Sequence, residues 1–170
     1  GLMLPVWLAE RYDGTYLDGR RFDDLRFLQC KLILKTDRFT SARVFKEFAR
    51  LVHRAADTAG VAYHHTPNLD QRPEVREVLF LDTGDFHLYN NAFILRRRIS
   101  YVDGFPVNDP EIVFKYRSPD MMTAQAMDVR PRISGNYKIK FKIELLPLKE
   151  HVGGVRRLLG HNVEFGLGQA

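Results

Sequence analysis

Cationic side chains alternate with bulky apolar ones along three stretches of the sequence. Residues 138–144 read Lys-Ile-Lys-Phe-Lys-Ile-Glu, and residues 111–117 and 94–99 repeat the pattern less strictly. Side chains alternate between the two faces of a strand, so each stretch places its cations on one face. Like charges on neighbouring strands destabilise strand pairing, so repeated cations indicate a surface or cavity that binds a polyanion. The alternative is a solvated sheet face whose lysines prevent aggregation at an edge.

Length, charge and cysteine content limit the class of protein. The 170 residues fit one domain and carry a formal net charge of +5, which favours anionic partners such as nucleotides, polyphosphate, RNA or acidic lipid. No apolar run approaches the roughly 20 residues that span a bilayer, so no membrane partner is expected. Cys30 is the single cysteine, which excludes an intrachain disulfide and predicts a cytoplasmic protein.

The order of predicted elements indicates an α+β fold. Residues 1–24 read as an arm with a short helix at 5–11, and residues 25–170 as a single domain. Periodicity predicts a helix from a cap at Thr40 or Ser41 to Gly60, and a second helix over 148–159. Residues 64–76 read as a surface loop. Alternation predicts six strands in an antiparallel sheet, at 25–35, 78–83, 92–101, 111–117, 126–133 and 137–146.

The common catalytic signatures are missing from the sequence. There is no glycine-rich phosphate loop, dinucleotide fingerprint or nucleophile elbow. The six histidines lack the spacing of a metal site, and Cys30 falls on the apolar side of its strand. The cationic strands therefore remain the strongest functional signal.

Three short motifs together resemble the CYTH, or triphosphate tunnel metalloenzyme, superfamily. Phe80-Leu81-Asp82-Thr83 is similar to its aromatic-x-Asp-Thr strand, and Leu95-Arg96-Arg97-Arg98 to its Leu-Arg-x-Arg strand. Residues 113–117 resemble the following strand, with its lysine at Lys115, and residues 139–145 a later one. Each motif is short, and their joint order over residues 25–146 carries the resemblance.

The resemblance implies an antiparallel sheet curled into a tunnel-like barrel, complete or incomplete, with flanking helices. Such a cavity binds inorganic triphosphate, a nucleoside triphosphate or polyphosphate. Inward glutamates would hold Mg²⁺ or Mn²⁺ for phosphohydrolase or phosphoryl- or nucleotidyl-transfer chemistry. Carried over by position, the metal ligands would be Glu111 and Glu144. The phosphate-binding residues would be Arg96, Arg98 and Lys115, supported by Lys31, Arg117, Lys140 and Lys142.

The sequence departs from that family in its first strand. The family carries Glu-x-Glu-x-Lys there, and this chain has Phe27 and Gln29 in place of the two glutamates, with Lys31 kept. A phenyl ring cannot ligate a hard cation, and an amide is a weaker ligand than a carboxylate. The chain also supplies about six strands against eight in a complete tunnel, which predicts an open-sided, diverged or truncated domain.

Two further functions remain open from the sequence. One is a non-catalytic module that binds nucleotide, polyphosphate or RNA on the same cationic face. Binding of single-stranded RNA requires aromatic side chains between the cations, whereas Tyr116 and Phe141 alternate to the apolar face. The other is an assembly subunit that docks its cationic face on an acidic protein.

Overall fold

A computed structural model of the chain describes residues 12–64 and 74–169. Their contacts divide them into two compact units, one formed by the residues up to Lys31 and from Arg76 onward, the other by Leu32–Val75. The predicted helix at 5–11 and most of the predicted loop at 64–76 lie outside the described residues. The assignment of residues 25–170 to a single domain stays a prediction.

The first unit is built on a six-stranded mixed sheet. Its strand order is β1-β5-β6-β4-β3-β2, and β1 runs parallel to β5. The β3–β4, β4–β6 and β5–β6 pairs are antiparallel. The strands are β1 (Phe27–Cys30), β2 (Val75–Leu81), β3 (Phe93–Val102), β4 (Phe105–Ser118), β5 (Tyr137–Pro147) and β6 (Val155–Gly166).

The register of the strands separates a charged face from an apolar face. Lys115 of β4 lies opposite Asn162 of β6, which in turn lies opposite Lys140 of β5. On the other face, Tyr116 lies opposite His161, which lies opposite Phe141. Residues opposite each other on neighbouring strands point to the same side. The alternation read from the sequence therefore continues across the strands.

The hydrophobic core lies on the apolar face, under the short helix α3 (Met121–Ala126). Phe141, Ile143 and Leu159 are each no more than 2% exposed, and they pack against Met121 and Ala124 of α3. The Asp120 carboxylate caps this helix by accepting a hydrogen bond from the Thr123 backbone N–H at 2.7 Å. Helix α3 thus covers the centre of the apolar face.

A buried polar group fixes the segment before β1 against β6. His161 is fully buried, with its Nδ1 atom 3.0 Å from the carbonyl oxygen of Ala124 and its Nε2 atom 2.9 Å from the Asp23 carboxylate. The Tyr16 hydroxyl donates a hydrogen bond to the same carboxylate at 2.9 Å, and the Arg130 guanidinium lies over the Tyr16 ring. These contacts satisfy polar groups that burial would otherwise make costly.

The second unit contains helix α1 (Ala42–Thr58), which the sequence predicted. Ser41 is the N-cap residue, and Gly60 follows the helix with a positive φ of 66° that favours glycine. Phe39, in the segment before the helix, packs against Phe45 and Phe48 with ring centroids 5.3 and 5.4 Å apart. The spacing of the apolar side chains therefore located α1 correctly.

The mixed α+β class is confirmed, and five of the six predicted strands are present, of which β3 and β5 lie within a residue or two of their predicted bounds. β4 begins earlier than predicted, because Asp103 and Gly104 adopt positive φ and join β3 to β4 in a tight hairpin. The first strand is shorter than predicted, with four residues in β1. The helix α2 (His87–Asn90) was not anticipated.

Two predicted elements are wrong. Residues 148–159 are not a helix, because Gly153 has a positive φ and the Leu148 N–H donates to the Gly154 carbonyl at 2.9 Å in a turn that leads into β6. From Leu159 to Phe165, every second residue faces the apolar side, which is the period of a strand. Residues 126–133 form no strand, since α3 ends at Ala126 and Arg130 pairs with Asp128 at 2.7 Å.

The sheet is curled, but the described strands do not close it into a barrel, because β1 and β2 are its two edges. The parallel β1–β5 pair also departs from the antiparallel arrangement that the sequence predicted. No helix among the described residues is long and apolar enough to cross a membrane.

We expect Ile143→Ala to lower the free energy of unfolding by about 2–5 kcal/mol, because it leaves a cavity in a fully buried cluster. Ile33→Ala makes the same chemical change at a side chain that is 86% exposed and should alter stability by less than about 1 kcal/mol. Urea denaturation followed by circular dichroism measures both. Equal losses would contradict the placement of the core.

Candidate anion-binding face

All the residues predicted to bind phosphate lie on one side of the sheet, which we call the charged face. β3 contributes Arg96 and Arg98, which lie opposite Val113 and Glu111 of β4. β4 contributes Lys115 and Arg117, two and four residues beyond Val113. The face also receives Lys31, directly after β1, and Lys138, Lys140 and Lys142 of β5. The alternating pattern therefore assembles cations from separate parts of the chain on one surface.

Four of these cations surround one carboxylate, and together the five residues form what we call the Glu144 cluster. Glu144 is fully buried, and its Oε1 atom accepts hydrogen bonds from Lys31, at 2.9 Å, and from Lys115. Lys142 lies 3.7 Å from the same oxygen, and Arg117 lies 3.2 Å from Oε2. One negative charge thus faces four positive groups, which leaves an excess of positive charge.

Gly160 allows the two most buried members of the cluster to meet. Lys115 and Glu144 lie on strands that are separated by β6, about 10 Å apart across the sheet. Gly160 lies between them, and a Cβ atom there would come within 3.0 Å of Lys115 Cε and 3.4 Å of Glu144 Oε1. Because Gly160 has no side chain, Lys115 and Glu144 can contact each other above β6.

Burial and neighbouring charges shift the pKa values of this pair. Burial raises the pKa of Glu144, but the hydrogen bonds from Lys115 and Lys31 outweigh it and hold the pKa at about 2. Burial lowers the pKa of Lys115 to about 7, helped by the charges of Arg117 and Lys31, despite the hydrogen bond to Glu144. The carboxylate is ionised at neutral pH, and the lysine has cationic neighbours that oppose its charge.

The other cations of the charged face differ in their partners. Lys140 donates to both oxygens of Glu164 at 2.9 Å, and Arg98 lies 2.5 Å from Glu111. Arg96 forms no ion pair with any residue in the described ranges, and burial together with the charge of Arg98 lowers its pKa. The face therefore carries cationic groups that its own carboxylates do not neutralise.

The Asp82-Thr83 segment has a structural role in the turn before β3. The Asp82 carboxylate accepts hydrogen bonds from the backbone N–H groups of Thr83, Leu88 and Tyr89 at 2.7–2.9 Å. It thereby organises the turn that leads into α2. The aspartate of the motif is thus engaged with backbone rather than with the cations.

The glutamates that the family resemblance assigns to Mg²⁺ or Mn²⁺ do not fit a shared ion. Glu111 lies opposite Gly166 and Glu144 opposite Leu158, eight positions apart on β6, or about 25 Å along the strand. Each carboxylate already contacts cationic side chains. Among the residues described, no three His, Cys, Asp or Glu side chains come together. We therefore assign no chemical step to a metal.

Strand β6 supplies the part of the site that the sequence did not reveal. Gly160, Asn162 and Glu164 occupy the charged face there, directly after the residues that the sequence predicted as a second helix. Asn162 is 2% exposed, and its Oδ1 atom accepts no hydrogen bond from the described residues. The alternation of apolar and polar residues from Leu159 to Phe165 was the available signal.

No protein-family model, curated protein or solved structure matches this chain. The resemblance to the triphosphate tunnel superfamily therefore stays a prediction that depends on the three motifs. The function of this chain is therefore inferred from the geometry of its charged face.

The lowered pKa of Glu144 predicts an acid-sensitive contribution to stability. Since the folded-state pKa of about 2 lies below the ordinary value of 4.5, the contribution is present above pH 4.5 and lost as the pH falls towards 2. We expect Glu144→Gln to cost about 3 kcal/mol of unfolding free energy at pH 7 and progressively less on acidification. Denaturant titrations at several pH values measure this, and a pH-independent difference would contradict it.

Gly160→Ala should destabilise the first unit by about 1 kcal/mol, because the added methyl group would lie 3.0 Å from Lys115 Cε and displace the buried Lys115–Glu144 pair from its packing. Gly84→Ala is a matched control, since Gly84 has no positive φ and a Cβ atom there meets no atom within 4 Å. Thermal denaturation compares the two variants. A Gly160→Ala protein as stable as Gly84→Ala would show that this glycine is dispensable.

Proposed function

We propose that this chain binds a phosphate-rich anion on its charged face. The observation that carries the proposal is the Glu144 cluster, in which four cations face one buried carboxylate. Holding like charges together at low exposure is unfavourable unless counter-charge is supplied. Inorganic triphosphate, a nucleoside triphosphate or polyphosphate would supply several negatively charged oxygens to such a cluster.

Unsatisfied donors support the same proposal. The Nε atoms of Arg96, Arg97 and Arg117 are buried and donate to no acceptor among the described residues. Buried donors without a partner are uncommon in proteins, and each lost hydrogen bond is costly. Two of the three, Arg96 and Arg117, belong to the charged face, and phosphate oxygens are acceptors that match a guanidinium group.

Binding is better supported than phosphoryl-transfer chemistry. The carboxylates of the charged face are engaged by cations, and Glu111 and Glu144 are too far apart to hold one ion. Catalysis of phosphoryl transfer depends on charge neutralisation by metal ions together with a positioned nucleophile. The cationic side chains account for recognition of phosphate and supply neither of these further components.

RNA is a weaker candidate for the bound anion. Phe93, Phe114, Tyr116 and Phe141 lie on the apolar face of their strands, with Phe93 stacked on Phe114 at 5.2 Å between ring centroids. Proteins that bind single strands stack bases on aromatic groups set between their cations. Phe27 of β1 is 46% exposed and lies in register with Lys142 on the charged face. One exposed ring is not a row of stacking groups, so a compact phosphate chain is favoured over a string of bases.

Calorimetric titration with tripolyphosphate at low ionic strength tests the proposal. Arg96→Ala is the test variant, and Arg97→Ala is its matched control. These residues are adjacent on β3 but face opposite sides, and Arg97 lies 3.3 Å from Glu77. We expect Arg96→Ala to weaken binding about tenfold or more and Arg97→Ala to leave it within about threefold. Added salt should weaken binding to the wild type.

Lys142→Ala extends the test to the Glu144 cluster, with the exposed Lys149→Ala as its control. Lys142→Ala should again weaken binding about tenfold, since it removes one of the four cations. Equal affinities in all four variants, or no heat of binding to the wild type, would refute the proposal. Tighter binding of a single-stranded RNA than of tripolyphosphate would favour the RNA alternative.

A further inference from the structure

We propose that Glu144 is an internal counter-ion that competes with the bound anion for the cations around it, so that the site binds phosphate without a divalent metal. This inference rests on the proposed function and concerns how that site is regulated. The Glu144 carboxylate contacts the same side chains that an external phosphate would need. In the absence of a ligand it neutralises part of their charge.

The cluster has an inner pair and an outer ring. Lys115 and Glu144 form the inner pair, with side chains that are 9% and 0% exposed. Lys31, Lys142 and Arg117 form the outer ring, with side chains that are 31%, 18% and 33% exposed. The outer cations can therefore contact a ligand while the inner pair stays in place. Because these same cations also contact Glu144, the carboxylate and the ligand compete for them.

The surroundings of Glu144 disfavour a divalent cation. Its Oε1 atom already accepts from two ammonium groups, and a guanidinium lies beside Oε2. A metal ion bound there would displace these groups and would lie a few ångströms from several positive charges, where repulsion is strong. Glu164, the carboxylate that β6 contributes to the charged face, is held by both of its oxygens to Lys140.

Removal of the Glu144 charge tests the competition. We expect Glu144→Gln to bind tripolyphosphate about tenfold more tightly than the wild type, because the outer cations lose their internal partner. Glu164→Gln makes the same change of charge on the same face, at a carboxylate that contacts Lys140 rather than the Glu144 cluster. It should tighten binding by less than about threefold. Equal gains in both variants would indicate a general effect of net charge and would overturn the inference.

The metal arm uses the wild-type protein, so it does not depend on the folding of a variant. Tripolyphosphate is titrated by calorimetry in metal-free buffer, without an added chelator, because a chelator could itself compete for the site. The affinity measured in this way should not increase when Mg²⁺ or Mn²⁺ is added. A tenfold or larger gain with either metal would overturn the inference.

The outcomes separate the two proposals. Binding to the wild type without a gain in Glu144→Gln would refute the internal counter-ion alone. Binding to Glu144→Gln and not to the wild type would refute the proposed function, and with it the inference as stated, because the wild-type site would then bind no phosphate. No binding to either protein, with both folded by circular dichroism, would refute both the counter-ion and the proposed function.

Discussion

A single buried carboxylate organises the charged side of this sheet. Glu144 is fully buried and contacts Lys142 of its own strand together with Lys31, Lys115 and Arg117 from segments that are distant in the sequence. Without its charge, the four cations of the cluster would have no carboxylate among them to offset their repulsion. The strand order, with β6 between β4 and β5, and the missing side chain at Gly160 are both required for the contact between Lys115 and Glu144.

The two faces of the sheet have different physical roles. The apolar face builds the core with α3, and the buried His161–Asp23 contact holds the segment before β1 against β6. Apolar burial there contributes the stability that a surface rich in like charges does not provide. The opposite face is thereby free to concentrate cations, including Arg96, for which the described residues supply no ion pair. Separation of the two roles by strand alternation would make the proposed polyanion site compatible with a small domain.

The sequence predicted what depends on local periodicity. Alternation located β3 and β5 and assigned Arg96, Lys115 and Lys142 to one face, and helical spacing located α1. Sequence-based prediction failed where a single turn or a contact distant in sequence determines the structure. The turn at Gly153 converts a predicted helix into β6, and the parallel pairing of β1 depends on contacts with β5 that are distant in sequence. Gly160 and the separation of Glu111 from Glu144 follow from strand order, which a local pattern does not contain.

A crystal structure of the protein with bound tripolyphosphate, grown with Mg²⁺ present, would test the central claim most directly. We expect phosphate oxygens within hydrogen-bonding distance of Arg117 and Lys142, with Glu144 still bonded to Lys115 and no metal ion on its carboxylate. An anion bound away from the charged face, or a metal ion that joins Glu144 to the phosphate chain, would contradict this account.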